Sequence, residues 1–202
     1  MKIRVPKFLR RLFPSLIWEI EDDCGVYLTF DDGPTPEVTE WILETLKQYN
    51  AKATFFVLGK NVELYPDLYA KILSEGHAVG NHTYSHQRGV KMSREHYLED
   101  VATAANLVHS NLFRVPYARA TLAQIRSLAQ QYKIVMWSIV SHDYNRHLTP
   151  RRVLRNVIAE IKAGSIVVFH DSDKAFRNMS YALIHTLEYV KQQGWRCKII
   201  EL

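Results

Sequence analysis

Val26-Tyr27-Leu28-Thr29-Phe30-Asp31-Asp32-Gly33-Pro34-Thr35-Pro36 is the stretch on which the fold turns. Its first five residues are β-branched, aromatic or aliphatic, as in a buried strand. Two adjacent carboxylates end the run and Gly33-Pro34 signals a turn. Thr35-Pro36 then opens a helix in which Val38, Trp41, Ile42, Thr45, Leu46 and Tyr49 share one apolar face as far as Asn50. Strand, turn and amphipathic helix in that order form the unit of a parallel sheet with crossover helices. Two like charges at the mouth of such a strand make each other harder to ionise, so their adjacency needs a chemical reason.

The alternation continues outward from there. Strands are predicted at Val26–Phe30, Thr54–Val57, His77–Gly80, Leu112–Arg114, Ile134–Trp137, Ile166–Phe169 and Cys197–Ile200. Further helices are predicted at Val62–Glu75, Ser93–Ser110 with Ser93 as the cap, Thr121–Tyr132, Pro150–Lys162 and Met179–Gln193. So many parallel strands in so short a chain point to a barrel, with a doubly wound open sheet as the alternative that periodicity leaves open. In both, reactive residues belong after strands, not before them.

With 202 residues, 47% apolar and 23% charged, the chain can bury one sizeable core, read here as one domain over residues 24–202. Residues 1–23 form a basic segment in which Val5, Phe8, Leu9, Leu12 and Phe13 follow helical apolar spacing. Such a segment either makes peripheral contact with an anionic membrane surface or closes the bottom of the domain, the second being preferred. Lys7, Arg10 and Arg11 interrupt the apolar block of a cleavable signal, so a cytoplasmic or peripheral membrane location is expected. The net charge of +5 is spread along the chain and no nucleic-acid motif accompanies it, so no nucleic-acid partner is expected. Cys24 and Cys197 are too few for a disulfide framework and are read as two buried thiols.

The polar residues do follow the predicted strands. His82 and His86, four positions apart, are expected on one face of a helical turn, about 5–6 Å apart at Cβ, which suits a shared divalent ion. Asp32 with these imidazoles makes a set of two histidines and one carboxylate with an open position for water. Asp31 is left beside that water, whose pKa the ion lowers, to take its proton. One carboxylate holds the ion and its neighbour acts as base, which resolves the repulsion. The donor set suits zinc, with cobalt, nickel and iron tolerating the same ligands. His170, ending a buried strand, is placed to protonate a leaving amine. Arg114 needs an anionic partner, for which Asp31 and Asp143 are the candidates.

Taken together, TFDDGP (29–34), HTYSH (82–86), RVPY (114–117), SHDY (141–144) and VVFHD (167–171) resemble, in order and spacing, the motifs of the polysaccharide deacetylases. These are the NodB homology domains of carbohydrate esterase family four, and the resemblance runs from Tyr27 to about Leu202. It implies an α/β fold, a distorted (β/α) barrel of seven to eight parallel strands with outer helices. The implied activity is removal of N-acetyl groups from amino sugars of a peptidoglycan- or chitin-like polymer, with release of acetate; apart from the resemblance, a monomer is expected. An O-acetyl esterase and a non-catalytic carbohydrate-binding descendant are the alternatives. By position, Asp31 is the implied base, Asp32, His82 and His86 the metal ligands, and His170 the general acid. Arg114 would orient Asp31, Asp143 would orient His170, and the backbone N–H near Tyr117 would help hold the oxyanion.

The chain departs from the family pattern in two places. Where the arginine motif reads Arg-Pro-Pro-Tyr-Gly, this chain has Val115 for the first proline and Ala118 for the glycine. Where the fourth motif reads Asp-x-x-Asp-Trp, it has Val140 for the first aspartate and Tyr144 for the tryptophan, whose stacking on a sugar face Tyr144 is expected to supply.

Overall fold

The computed structural model describes residues 13–202, so the amphipathic face predicted through Val5, Phe8, Leu9 and Leu12 lies outside the described residues. The strands are β1 (Leu16–Ile17), β2 (Gly25–Asp31), β3 (Thr54–Val57), β4 (Ala78–Asn81), β5 (Leu112–Phe113), β6 (Lys133–Val135), β7 (Ile139–Val140), β8 (Ile166–His170) and β9 (Arg196–Cys197). The helices are α1 (Val38–Gln48), α2 (Gly59–Leu64), α3 (Pro66–Ser74), α4 (Arg94–Ala105), α5 (Leu122–Leu128), α6 (Pro150–Ile158) and α7 (Asp173–Gln192). The sheet runs β1-β6-β5-β4-β3-β2-β8-β7 with parallel ladders throughout, and β9 pairs with the start of β2. These eight strands curl into a half-barrel surrounded by helices, as expected of a distorted (β/α) barrel. Between the edge strands β1 and β7, an antiparallel bridge, Glu19 to Ser165, crosses to the N-terminal end of β8, and the Ile20 N–H donates to Gly164 O at 3.0 Å.

Side-chain alternation along β2 builds both sides of this sheet. Val26, Leu28 and Phe30 face the helices and pack with Ile42, Leu46 and Val167, while the Phe30 ring stacks between Phe55 and Phe169 at 5.0 and 6.0 Å. Tyr27 points inward to Phe56, Leu112, Val135 and Ile166. Thr29 and Asp31 continue that inner face toward the open end of the curl. A third cluster, Tyr97, Val101, Phe113, Leu128 and Ile134, lies under α4 and α5, and Phe13 packs against it.

Several elements differ from the sequence pattern for identifiable reasons. β1 and β7 are only two residues each, too short for any periodicity to register. The helix expected from Val62 to Glu75 is two helices, because Pro66 forces Tyr65 out of the α region, to φ −130° and ψ 57°. α7 begins at Asp173, six residues before the apolar face expected from Met179, and the last strand stops at Cys197. The expected Ser93 cap is present, its Oγ accepting from His96 N–H at 3.2 Å. Of the cysteines expected to be buried, Cys24 is exposed, because its N–H is bound by Asp22 in a surface turn, and Cys197 is partly buried. Among the described residues no helix is long and apolar enough to cross a membrane.

Candidate active site

Arg114 anchors the floor of the site. It is fully buried one residue past β5, and each guanidinium nitrogen is engaged. Nε donates to Val135 O at 3.1 Å, Nη2 to Met136 O at 3.0 Å, and Nη1 to Thr29 Oγ1 at 2.7 Å and Asp31 Oδ1 at 2.6 Å. The Phe56 ring lies beneath it with its centroid 3.9 Å from Cζ. Thr29 and Asp31 both reach Arg114 because they are two apart on β2 and so share a face. Of the two partners open to Arg114 on sequence grounds, the structure selects Asp31. Asp143 lies across the site, bound to His170.

Asp32, His82 and His86 offer three ligand atoms within 4.8 Å of one another. The histidine pair is not on a helical turn, as its spacing implied. His82 to His86 is a loop in which Thr83 (φ 69°) and His86 (φ 60°) take left-handed backbone conformations. Side chains hold it there: Thr83 N–H donates to Asn81 Oδ1 at 2.8 Å, and Ser85 Oγ donates to Asp100 Oδ1 at 2.6 Å. Strained backbone of this kind persists where the surroundings over-determine it, commonly at functional sites. Asp32 (φ 88°) and Tyr117 (φ 56°) share it.

The chemistry of these donors fits a cation. His82 Nδ1 donates to Arg114 O at 2.8 Å, and burial pushes its pKa down to about 4, so its Nε2 carries a lone pair at neutral pH. That lone pair faces Asp32 Oδ1 at 3.7 Å, with His86 Nε2 at 3.1 Å. Burial alone would raise the pKa of Asp32, but the imidazoles of His86, His170 and His82 outweigh it and hold the carboxyl below its ordinary range. Oδ1 is nevertheless a buried carboxylate oxygen with no hydrogen-bond donor. An orphaned anion facing an imidazole lone pair is repulsive unless a positive ion lies between them.

Opposite stands His170, the register partner of Asp31 on the adjoining strand. Its Nδ1 is 2.7 Å from Asp143 Oδ1 and its backbone N–H donates to Asp143 Oδ2 at 2.8 Å. Burial lowers the imidazole pKa, but the fully buried Asp143 more than offsets this and pushes it up to about 9. His170 Nε2 has no hydrogen-bond partner among the described residues, and its ring lines the same cleft as Asp31, Asp32, His82 and His86, a space of about 740 Å³. Tyr117 and Tyr144 line it too, Tyr144 meeting the His170 ring edge-on at 4.9 Å. The Tyr117 N–H donates to no acceptor among the described residues. Val140, in the position of the family's first aspartate, is partly buried and lines the cleft. Ala118, in the family's glycine position, adopts φ 53°, the region that favours glycine.

Sequence reasoning assigned nothing to Asp171. Its buried carboxylate accepts from Gly33 N–H at 2.8 Å and Thr39 Oγ1 at 2.9 Å, and its N–H donates to Asp31 O at 3.1 Å. A Cβ on Gly33 would lie 1.8 Å from Asp171 Oδ2, so only glycine lets the loop carrying Asp32 dock on the residue after His170. The position of Asp171, an acid just past a buried strand beside a candidate histidine, was the available signal.

The sequence profile of the family described as polysaccharide deacetylase matches residues 21–137. The chain belongs to the polysaccharide deacetylase family. The matched part carries Asp31, Asp32, His82, His86, Arg114 and Tyr117, while Asp143 and His170 lie beyond it. A peptidoglycan-N-acetylglucosamine deacetylase of Bacillus cereus is 35% identical over 154 residues, 73% of this chain and 56% of that protein. The chain thus spans little more than half the length of that family member. A chitooligosaccharide deacetylase of Bradyrhizobium sp. is 35% identical over 161 residues, 76% of this chain and 73% of its own. Among solved structures, that of the Bc1960 peptidoglycan N-acetylglucosamine deacetylase has a TM-score of 0.86 at 29% identity, covering 97% of this chain and 95% of the other.

Proposed function

We propose that this chain removes N-acetyl groups from amino sugars of a polysaccharide or oligosaccharide, releasing acetate, with one divalent ion held by Asp32, His82 and His86. Zinc suits that donor set, and cobalt, nickel or iron would accept it. When bound, the ion polarises the substrate carbonyl and makes water a better nucleophile at neutral pH. The observation that carries the reading is that Asp31 and His170, in register on neighbouring strands, line one cleft with this donor set.

Asp31 takes the proton of the attacking water, and Arg114 fixes the carboxylate through Oδ1. The uncommitted Tyr117 N–H donates to the oxyanion that develops on the acetyl oxygen. His170, protonated at neutral pH through Asp143, delivers a proton to the departing nitrogen. An amide is favoured over an ester because an amine leaves only once protonated, and Asp143 keeps that proton on His170. Tyr117 and Tyr144 offer aromatic faces to the sugar.

The test is acetate release from N-acetylglucosamine oligomers, peptidoglycan fragments and acetylated xylan, with and without chelator, by wild type and Asp31→Asn. Acetate from the N-acetyl substrates, reduced on the order of 10²–10⁴-fold in the variant, is expected. Release from xylan alone would make the chain an O-acetyl esterase, and release from none would make it a carbohydrate-binding descendant. Undiminished turnover by Asp31→Asn would remove the base from its role.

A further inference from the structure

Two long stretches of the chain are empty of acid: no Asp or Glu occurs from Gly76 to Arg94 or from Val101 to His142. The fold brings parts of both to the metal side of the cleft and fastens them together. Val90 N–H donates to Arg119 O at 3.2 Å, and Gln124 Nε2, from the first turn of α5, donates to Gly89 O at 3.0 Å. The Arg88 guanidinium rests 4.7 Å from the centroid of the Tyr117 ring. The turn at 88–91 and the segment 117–122 thus form one lip, of which Arg88, Tyr117 and Arg119 line the cleft.

Two kinds of exposed side chain meet on this lip. Arg88, Lys91 and Arg119 are exposed, and among the described residues no carboxylate lies within ion-pair distance of them. The next acid along the chain, Glu95, is held by Arg94 at 3.1 Å. Val90 and Leu122, in the same two segments, are 49% and 56% exposed. Among the described residues seven large apolar side chains are exposed, and three of them, Val90, Tyr117 and Leu122, are on this lip, so the exposure is concentrated here. Aliphatic side chains set among unpaired cations suit anionic phospholipid: the cations meet the headgroups and the aliphatic groups enter the boundary with the acyl chains. A soluble polyanion would use the cations and leave Val90 and Leu122 in water.

We infer that this lip docks on an anionic phospholipid surface, with Arg88, Lys91 and Arg119 on the headgroups and Val90 and Leu122 in the interfacial layer. The surface is made by residues other than the basic segment 1–23, and the mouth of the cleft then opens beside the headgroups. Docking needs no turnover and is independent of the deacetylase reading.

The experiment is flotation of the full, chelator-treated chain with two kinds of vesicle, phosphatidylcholine alone and phosphatidylcholine with about 30 mol% phosphatidylglycerol, with soluble polyglutamate as competitor. At about 10 mM salt, where the screening length is about 30 Å, the anionic vesicles should bind the wild type at least about tenfold more tightly than the neutral ones. At about 1 M salt, with screening near 3 Å, most of that difference should be gone. Each cation at such a surface is worth about fivefold in partition, so Arg88→Gln with Lys91→Gln and Arg119→Gln should weaken binding on the order of 10²-fold. Val90→Gln with Leu122→Gln leaves every charge in place and should weaken it about tenfold. All five side chains are exposed and make no hydrogen bond among the described residues, so both variants fold. Segment 1–23 is the same in all three proteins, and the differences between them therefore read the lip alone. Equal binding to neutral and anionic vesicles, or variants that bind as the wild type does, overturns the inference. So does an aliphatic variant at full affinity together with displacement of the vesicles by polyglutamate, which would make the lip a polyanion site.

Discussion

Replacing Asp31 by Asn should damage stability as well as catalysis, and the two losses can be measured separately. Arg114 is wholly enclosed, and among the described residues Asp31 is the only carboxylate it touches. Burial already pulls the guanidinium pKa down and Asp31 opposes this, so removing the carboxylate leaves a buried cation without its counter-charge. Breaking a buried ion pair from one side costs about 3–5 kcal/mol. Asparagine retains an oxygen that can accept from Nη1, which puts the expectation near the lower end, about 3 kcal/mol. In a domain of this size each kcal/mol moves the thermal midpoint by about 2–4 °C, so the chelated protein should melt about 6–12 °C lower. Arg114→Met should be comparably damaging, since it strands Asp31. The double variant should be less destabilised than the sum of the singles, by about 2 kcal/mol or more. Thermal and urea melts of the four proteins close the cycle, with acetate release at 25 °C read alongside. Additive effects, or an Asp31→Asn midpoint equal to wild type, would refute the claim that this pair supports the floor of the site.

Metal loading should stabilise the fold. Zinc at a hundred times its Kd should contribute about 2.7 kcal/mol, raising the midpoint by about 5–11 °C in wild type and not in Asp32→Ala, and a rise in that variant would argue against this donor set. The His170 imidazole, followed by NMR in the chelated protein, should titrate at about 9, against an ordinary value of 6.5. Because the folded value is raised, its stabilising contribution is complete below about pH 6.5 and is lost as pH climbs through about 9. In Asp143→Asn the titration should fall well below that value, and a midpoint that stays put would exclude Asp143 as the cause. Ala118→Gly relieves a left-handed alanine and should raise the thermal midpoint by about 2–4 °C, corresponding to about 1 kcal/mol, while Ala129→Gly, at φ −65°, should lower it.

The sequence was most legible where chemistry and strand ends coincide. Asp31, Asp32, Arg114 and His170 each close or follow an apolar run, and a parallel α/β fold has one rim at which such residues can meet. Local geometry was less legible. The spacing of His82 and His86 implied a helical turn, yet Thr83 and His86 take positive φ, which Asn81 and Asp100 enforce from elsewhere in the chain. The choice of partner for Arg114 depended on register, since Asp31 and Asp143 were equally available as residue types. β1 and β7 are held by neighbours and not by any pattern of their own, and Asp171 acts through a glycine whose lack of a side chain has meaning only once both are in place.

The bridge from Glu19 to Ser165 gives the half-barrel a clasp. Among the described residues no continuous ladder joins the two edge strands there, and Gly164, at φ 82°, leaves no room for a side chain, since a Cβ would lie 2.2 Å from Ile20 O. Fastening and chemistry thus sit at opposite ends of β8. The hoop can be sprung from below by a single methyl group without any reactive group being touched, and amides near Ile20 should be the first in the sheet to exchange with solvent.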